Sequence, residues 1–102
     1  MFSDDGFRQS IIFSKHAIKR MNERKISLDE VLEILSSPLG IIYDKHNDVY
    51  IALGHQGTAV VYAFRANRIE VLTVLRKREF SALQKKFGER RYKPIWPGTR
   101  IL

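Results

Sequence analysis

The residues best suited to chemistry lie in the stretch 14–27, which reads SKHAIKRMNERKIS. In a helix, a rotation of about 100° per residue places His16, Arg20 and Arg24 along the edge of the apolar face. Charged groups there need partners, or else a cleft that holds an anionic ligand. A neutral imidazole accepts a proton, and guanidinium groups match a phosphate. The spacing therefore predicts a base with a phosphate clamp. Ion pairs against a sheet are the alternative, and Glu23 fits either arrangement.

A second candidate group lies at the end of the last predicted strand. Strand alternation puts Val71 and Thr73 on one face and Val74 on the other, so Thr73 interrupts an apolar row. Thr73 is either a strand former with a satisfied hydroxyl or a substrate-binding group. Arg76 follows the strand and is a candidate to bind the same phosphate. We expect the two groups to converge if the first helix packs beside the last strand.

Positive charge is concentrated at the C-terminal end of the chain. The formal net charge is +7, yet residues 1–75 hold nine Lys and Arg against nine Asp and Glu. Residues 76–102 hold nine basic residues against two acidic ones. Such a local field suits a polyanion such as RNA or DNA, or an acidic partner protein, and solubility alone is the simplest alternative. Four further cations are predicted to bind substrate, namely Lys77, Arg78, Arg90 and Arg91.

Composition excludes several classes of protein. The 102 residues, 44% hydrophobic and 28% charged, suit one soluble domain. The absence of cysteine excludes a disulfide framework, a thiolate nucleophile and a cysteine-bound zinc. No apolar run approaches the roughly 20 residues of a membrane span, and no secretory signal is seen. Asp44, His46 and Asp48 alternate in a turn that explains them without a metal. We therefore expect a cytoplasmic protein with no membrane segment, no metal and no cofactor.

Helical signals appear at three places. Ser14 suits the N-cap of a helix over 15–25, and Ser27 with Glu30 forms an S-x-x-E capping box for the next helix. The second helix has an apolar stripe and ends before Pro38. A third helix fits 79–87, before Gly88. The stripe of the second helix consists of Leu28, Val31, Leu32 and Leu35.

Period-two patterns predict the strands. The segments 41–43, 49–53, 59–64 and 69–76 are separated by short turns, which imply an antiparallel meander. Residues 7–13 form a short strand or an extended lead-in, residues 1–10 fray, and the tail 89–102 is extended or loop. The prediction is a single α+β domain with two N-terminal helices, a four-stranded antiparallel sheet, a C-terminal helix and an extended basic tail.

Two motifs in combination carry a resemblance to a known family. The pattern F-S-x-H-A-x-x-R-x-x-x-R-x-I-S over 13–27, followed by V-x-T-V-x-R over 71–76, resembles the domain of unknown function 4258 family. The likeness spans about residues 11–78 and leaves out the helix and basic tail of 79–102. The family is similar to BrnT-type and RelE-type toxins of bacterial toxin–antitoxin pairs. Those are small basic proteins with helices packed on an antiparallel sheet, which cut RNA without metal and are inhibited by an antitoxin.

The resemblance implies a RelE/BrnT-like, metal-independent RNA endonuclease of the mRNA interferase type. Such an enzyme needs a base for the ribose 2′-hydroxyl and cations for the phosphate. His16 is the candidate base, and Arg20, Arg24 and Arg76 are the candidate phosphate ligands. Two alternatives stay open. One is a non-catalytic nucleic-acid-binding protein, and the other is an interaction module that receives an acidic partner such as an antitoxin.

Overall fold

The computed structural model of this chain describes residues 10–97. The predictions for residues 1–9 and 98–102 therefore lie outside the described residues. Three helices and six strands follow one another in the order β1 (Ile11–Phe13), α1 (Lys15–Arg24), α2 (Leu28–Ser36), β2 (Gly40–Asp44), β3 (Val49–Leu53), β4 (Ala59–Arg65), β5 (Arg68–Leu75), α3 (Lys77–Phe87), a 3-10 turn (Gly88–Arg90) and β6 (Tyr92–Trp96).

The strands form one mixed sheet in the order β1-β5-β4-β3-β2-β6. Its centre is the predicted antiparallel meander of β2 to β5. The prediction of a four-stranded, purely antiparallel sheet is nevertheless wrong, because a strand is added at each edge. β1 pairs with β5 in parallel, and the bonds around it include Ile69 N–H to Ser10 O at 2.9 Å. A parallel pair needs a long crossover, and the chain from α1 to β4 supplies it.

The other edge is β6, so part of the tail predicted as extended or loop is extended and joins the sheet, which was not predicted. β6 pairs antiparallel with β2, with a shift in register between Ile41 and Ile42. Pro94 is tolerated because an edge strand leaves one side of its backbone unpaired. Tyr92 anchors the strand, since its buried ring lies edge-on to Phe80 with 5.3 Å between the ring centroids.

Helices cover both faces of the sheet. α1 and α2 bury Ala17, Met21 and Val31 against strand residues that include Val60 and Val71. α3 covers the opposite face, where Phe80 packs with Ile42, Ile51 and Ala59. The C-terminal helix thus closes a second core, and the sheet lies between two helical layers.

A bulge in β5 overturns the predicted faces of this strand. Val61 pairs with Thr73 and Tyr62 pairs with Val71, so Leu72 is an extra residue. An extra residue reverses the alternation beyond it. Val71 and Val74 therefore share the face covered by α1 and α2. Thr73 lies beside Val61 on the α3 face, because directly paired residues share a face.

Both predicted serine caps are confirmed. Ser14 Oγ accepts from Ala17 N–H, and Ser27 Oγ accepts from Glu30 N–H, each at 3.0 Å. α2 ends at Ser36, as the following Pro38 predicts. Its predicted stripe needs one correction, because Leu28 is 48% exposed. The buried residues of α2 are Val31, Leu32 and Ile34, so the helix packs through its later turns.

Candidate active site

His16, Arg20 and Glu23 form one contiguous row on α1. Arg20 Nε–H donates to His16 Nε2 at 3.3 Å, and Arg20 Nη1 lies 2.8 Å from Glu23 Oε1. Residues three and four apart share a helix face, which explains the row. His16 is exposed and Arg20 is partly exposed, so a ligand can reach both. The bond from Arg20 requires an unprotonated Nε2, which is the form of the imidazole that can act as a base.

Arg24, one turn further along α1, is tied to the start of α3. Its Nε–H donates to Glu79 Oε1 at 2.7 Å, and its Nη2 contacts Glu79 Oε2 more closely. Glu79 Oε1 also accepts the backbone N–H of Arg76 at 2.8 Å. Bonding to Arg24 and to this N–H, opposed by partial burial, lowers the pKa of Glu79 to about 2. The carboxylate therefore stays ionised and holds the ends of α1 and β5 together.

Arg76 joins four segments through one guanidinium group. Nη2 donates to the carbonyls of Arg24 and Lys25 at 3.0 and 3.1 Å. These carbonyls belong to the end of α1, where backbone acceptors lack helical partners and a cation is favourable. Nη1 donates to Glu30 Oε2 at 3.2 Å and to Thr58 Oγ1 at 3.0 Å. The Glu30 carboxylate thus accepts hydrogen bonds from Arg76 and Thr58. It does not accept from the backbone of the N-cap residue, which is the second bond of a capping box.

The structure places Arg76 at the C-terminal end of α1, beside Arg24. α1 packs beside β5, where Ser14 N–H donates to Val71 O at 3.0 Å, and Arg76 reaches the end of the same helix. Each arginine also has a carboxylate partner: Arg20 pairs with Glu23, Arg24 with Glu79 and also Glu23, and Arg76 with Glu30. Of the two arrangements expected for this helix edge, the ion pairs are therefore present.

Sequence reasoning missed three members of this network. Glu79, Glu30 in its ion-pairing role and Thr58 were not predicted to belong to the site. A signal for Glu79 existed, since an acidic residue three positions after a helix N-cap is typical of a capping interaction, and Arg76 is the N-cap of α3. Thr58 gave no such signal, because its contact with Arg76 depends on how β4 and β5 are placed.

The remaining predicted substrate-binding residues lie elsewhere. Lys77 and Arg78 are exposed on the first turn of α3, without an ion pair in the described part of the chain. Arg90 donates to Lys86 O at 3.2 Å. Thr73, on the α3 face of the sheet, is not brought together with His16.

Arg91 has a structural partner. Its Nε and Nη2 lie 3.0–3.1 Å from the carboxylate of Asp44, which is 2% exposed. Burial raises the pKa of Asp44, but Arg91 and the backbone N–H groups of His46 and Asn47 outweigh it, so the net pKa is lowered. This pair fastens the start of β6 to β2, and we leave Arg91 out of the proposed site.

Unpaired positive charge gathers on α3 and the residues that follow it. Within residues 10–97, these exposed side chains have no carboxylate partner, unlike the arginines of the network. We call this set the α3 basic face, and it consists of Lys77, Arg78, Lys85, Lys86 and Arg90. Its first turn carries Glu79, so the surface starts next to the end of α1. A stripe of this kind is the electrostatic footprint expected for a polyanion.

Comparisons with known proteins identify the family. No helix within the described range 10–97 is long and apolar enough to cross a membrane. No curated protein and no solved structure matches the chain significantly. The family model of the domain of unknown function DUF4258 matches residues 13–76, which is more than half of the chain. The match begins just before α1 and ends at Arg76. It therefore includes every residue of the network except Glu79. The chain therefore belongs to the DUF4258 family.

Proposed function

We propose that this chain is a metal-independent RNA endonuclease of the RelE/BrnT-like toxin type. The observation that carries the proposal is the accessible His16–Arg20 pair, in which Nε2 of the imidazole lies 3.3 Å from Nε of the guanidinium group. A base and a phosphate ligand at this separation are what cleavage of RNA through its own 2′-hydroxyl requires. The network of Arg24, Glu79 and Arg76 supports the helix that presents them.

In the proposed reaction, Arg20 acts first as the phosphate ligand and His16 acts second as the base. Binding of a phosphate to the Arg20 guanidinium releases Nε2 of His16 from its bond to Arg20. Nε2 then accepts the proton of the ribose 2′-hydroxyl, and the 2′-oxygen attacks the phosphorus. The bond from phosphorus to the 5′-oxygen breaks, and the leaving oxygen takes a proton from water. Arg20 stabilises the charge on the pentavalent phosphorus centre, where a fixed cation is most effective.

Arg24 and Arg76 enter the proposal as secondary phosphate ligands. Each would have to exchange a carboxylate, Glu79 or Glu30, for a phosphate oxygen. Arg76 is the more accessible of the two, with 40% of its side chain exposed against 20% for Arg24. The α3 basic face supplies unpaired cations for the flanking RNA backbone, and it offers an acidic antitoxin the same surface. We place the protein in the cytoplasm, where both partners occur.

The test is cleavage of a labelled single-stranded RNA in excess EDTA. We expect the wild type to cleave, and His16→Ala to reduce the rate by about a hundredfold or more, the usual contribution of a general base. Arg20→Ala should lose activity as well. The matched control is His46→Ala, which removes an exposed histidine from the β2–β3 turn and should leave the rate unchanged. Cleavage that survives His16→Ala would exclude this residue as the base.

A second function is favoured by the ion pairs themselves. Because every predicted phosphate-binding arginine of the network has a carboxylate partner, the network is neutral as a set. A non-catalytic RNA-binding protein would keep such pairs for stability and use the α3 basic face for affinity. Binding of RNA without cleavage, unchanged in His16→Ala, would favour this function over the endonuclease for free RNA.

A further inference from the structure

Four aromatic rings form a cluster on the sheet face that also carries α1 and α2. Tyr43, Tyr50 and Tyr62 lie in line across β2, β3 and β4, paired directly with one another. Their ring centroids are 5.3 Å apart for Tyr43–Tyr50 and 5.8 Å for Tyr50–Tyr62, and the latter pair is stacked. Phe64 meets Tyr50 and Tyr62 edge-on at 5.5 and 5.8 Å. We call these four residues the aromatic patch.

The aromatic patch lies at the end of the sheet away from α2. α2 packs on the other ends of β3 and β4, where Ile34 abuts Gly54 and Glu30 accepts from Thr58. Phe64 is consequently 62% exposed and Tyr43 and Tyr50 are partly exposed, while Tyr62 is buried beneath them as part of the core. An aromatic side chain so exposed contributes little to a core, so its position on a rigid strand beside stacked rings needs another explanation.

The register places this patch close to the proposed active site. Tyr62 pairs with Val71, and Val71 O accepts the N–H of Ser14, the N-cap of α1. The start of α1 therefore lies two strand spacings from Tyr62, or about 10 Å. His16 belongs to the first turn of that helix. A single extended ligand can span such a distance.

The charges on the patch face are compatible with an anionic ligand. The carboxylate of Asp48 accepts from Tyr43 Oη at 2.5 Å, which holds it at the β2 side of the patch, two strands away from Phe64 on β4. Lys93 pairs directly with Tyr43 and so shares the face of the patch, and it has no carboxylate partner among residues 10–97. A second copy of this chain would bring another +7 of charge and would be repelled. The ligand that combines aromatic faces with negative charge is a nucleic-acid strand with unpaired bases.

We propose that the aromatic patch stacks the unpaired bases of single-stranded RNA beside the phosphate held by His16 and Arg20. The inference rests on the proposed function and names its substrate as an unpaired strand. Phe64 offers its exposed ring to a base, and the stacked Tyr50 and Tyr62 hold that ring in place. A duplex cannot use the patch, because its bases are stacked on one another.

The experiment measures binding of a short fluorescein-labelled 2′-O-methyl oligouridine by anisotropy. This probe cannot be cleaved, since its 2′-oxygen is blocked. We expect Phe64→Ala to weaken binding about fivefold or more, the usual effect of losing one stacking contact, and Phe64→Trp to retain it. Leu39→Ala is the matched control, because Leu39 is 53% exposed and lies outside the patch. The same strand paired with its complement should bind more weakly and be insensitive to Phe64→Ala.

Three results would overturn the inference: equal affinity of wild type and Phe64→Ala, equal binding of single strand and duplex, or a change in oligomeric state in Phe64→Ala by sedimentation. The last would make the patch an interface between copies. The two proposals also fail separately. Binding that depends on Phe64, without cleavage of unmodified RNA, keeps the stacking surface and removes the endonuclease. Cleavage that depends on His16, with binding indifferent to Phe64, does the reverse.

Discussion

At the scale of single residues, the arginines of α1 differ in how firmly a carboxylate holds them. Arg24 makes two bonds to Glu79, whereas Arg20 shares its guanidinium between Glu23 and the imidazole of His16. A two-pronged pair fixes the guanidinium plane, and a single exposed contact leaves it free to rotate. We therefore assign substrate contact first to Arg20 and mainly a positioning role to Arg24.

Glu79 provides a prediction about pH. Its pKa is about 2 in the folded chain against an ordinary 4.5, chiefly because Arg24 donates to it. A lowered pKa stabilises the fold above the unfolded value and loses that contribution as pH falls from about 4.5 towards 2. Because the side chain is 36% exposed, solvent screening leaves about 1 kcal/mol. Urea unfolding should show Glu79→Gln less stable than wild type by this amount at neutral pH, and equal to it near pH 2.

Glu89→Gln is the control for this measurement. Glu89 is exposed and has no ion pair in residues 10–97, so its removal should change the free energy of unfolding little at any pH. A destabilisation in Glu79→Gln that stays constant down to acid pH would show that the effect comes from packing rather than from the ionised carboxylate.

At the scale of elements, local signals predicted well and pairing over long distances did not. Ser14, Ser27 and Pro38 act within a few residues of their own position, so the helix boundaries they predict are confirmed. The bulge at Leu72 and the edge strands depend on partners far along the chain. Strand patterns show that a segment is extended but do not show what lies beside it, since pairing also reflects packing and register.

The residues of the candidate site also divide into those that local patterns predicted and those that only the tertiary structure revealed. Helical periodicity was enough to place His16, Arg20 and Arg24 on one edge, and the packing of α1 on β5 then brought Arg76 to the end of this helix at Arg24. Glu23, which pairs with Arg20, lies on α1 and was foreseen as a partner, whereas the carboxylates that pair with Arg24 and Arg76 come from α3 and α2, and these pairings became visible only in the tertiary structure. The aromatic patch was missed for a related reason. Its rings are spread over three strands and meet only through the sheet register.

The attachment of β6 can be tested at one ion pair. Arg91→Ala leaves the carboxylate of Asp44 buried without its cation, because Asp44 is 2% exposed. Removing one partner of a buried pair costs about 3 kcal/mol or more. We expect a loss of this size in urea unfolding followed by circular dichroism, whereas Arg90→Ala, whose side chain contacts only a backbone carbonyl, should change stability by less than about 0.5 kcal/mol. Equal effects of the two substitutions would contradict a structural role for Arg91.

At the scale of the whole molecule, paired and unpaired charges lie in different places. The network around α1 binds its arginines to carboxylates, while the α3 basic face has none of its cations paired within residues 10–97. This separation gives the chain a neutral, firmly bonded edge beside a surface with a strong positive field. We infer that, in the proposed function, the α3 basic face contributes the electrostatic part of the affinity for RNA, the aromatic patch contributes the stacking part, and α1 carries the chemistry.

That division predicts the salt dependence of binding. Each phosphate contact to a single strand adds about 0.7 to the slope of log affinity against log salt concentration. Replacing both Lys85 and Lys86 by Gln should therefore reduce the slope by about 1.4 and weaken binding to the uncleavable oligouridine. Replacing Lys15 and Lys19 on α1 removes the same charge from another exposed surface and should leave the slope nearly unchanged. If both pairs reduce the slope equally, net charge rather than the α3 basic face governs affinity, because only a localised contact distinguishes two variants of identical charge.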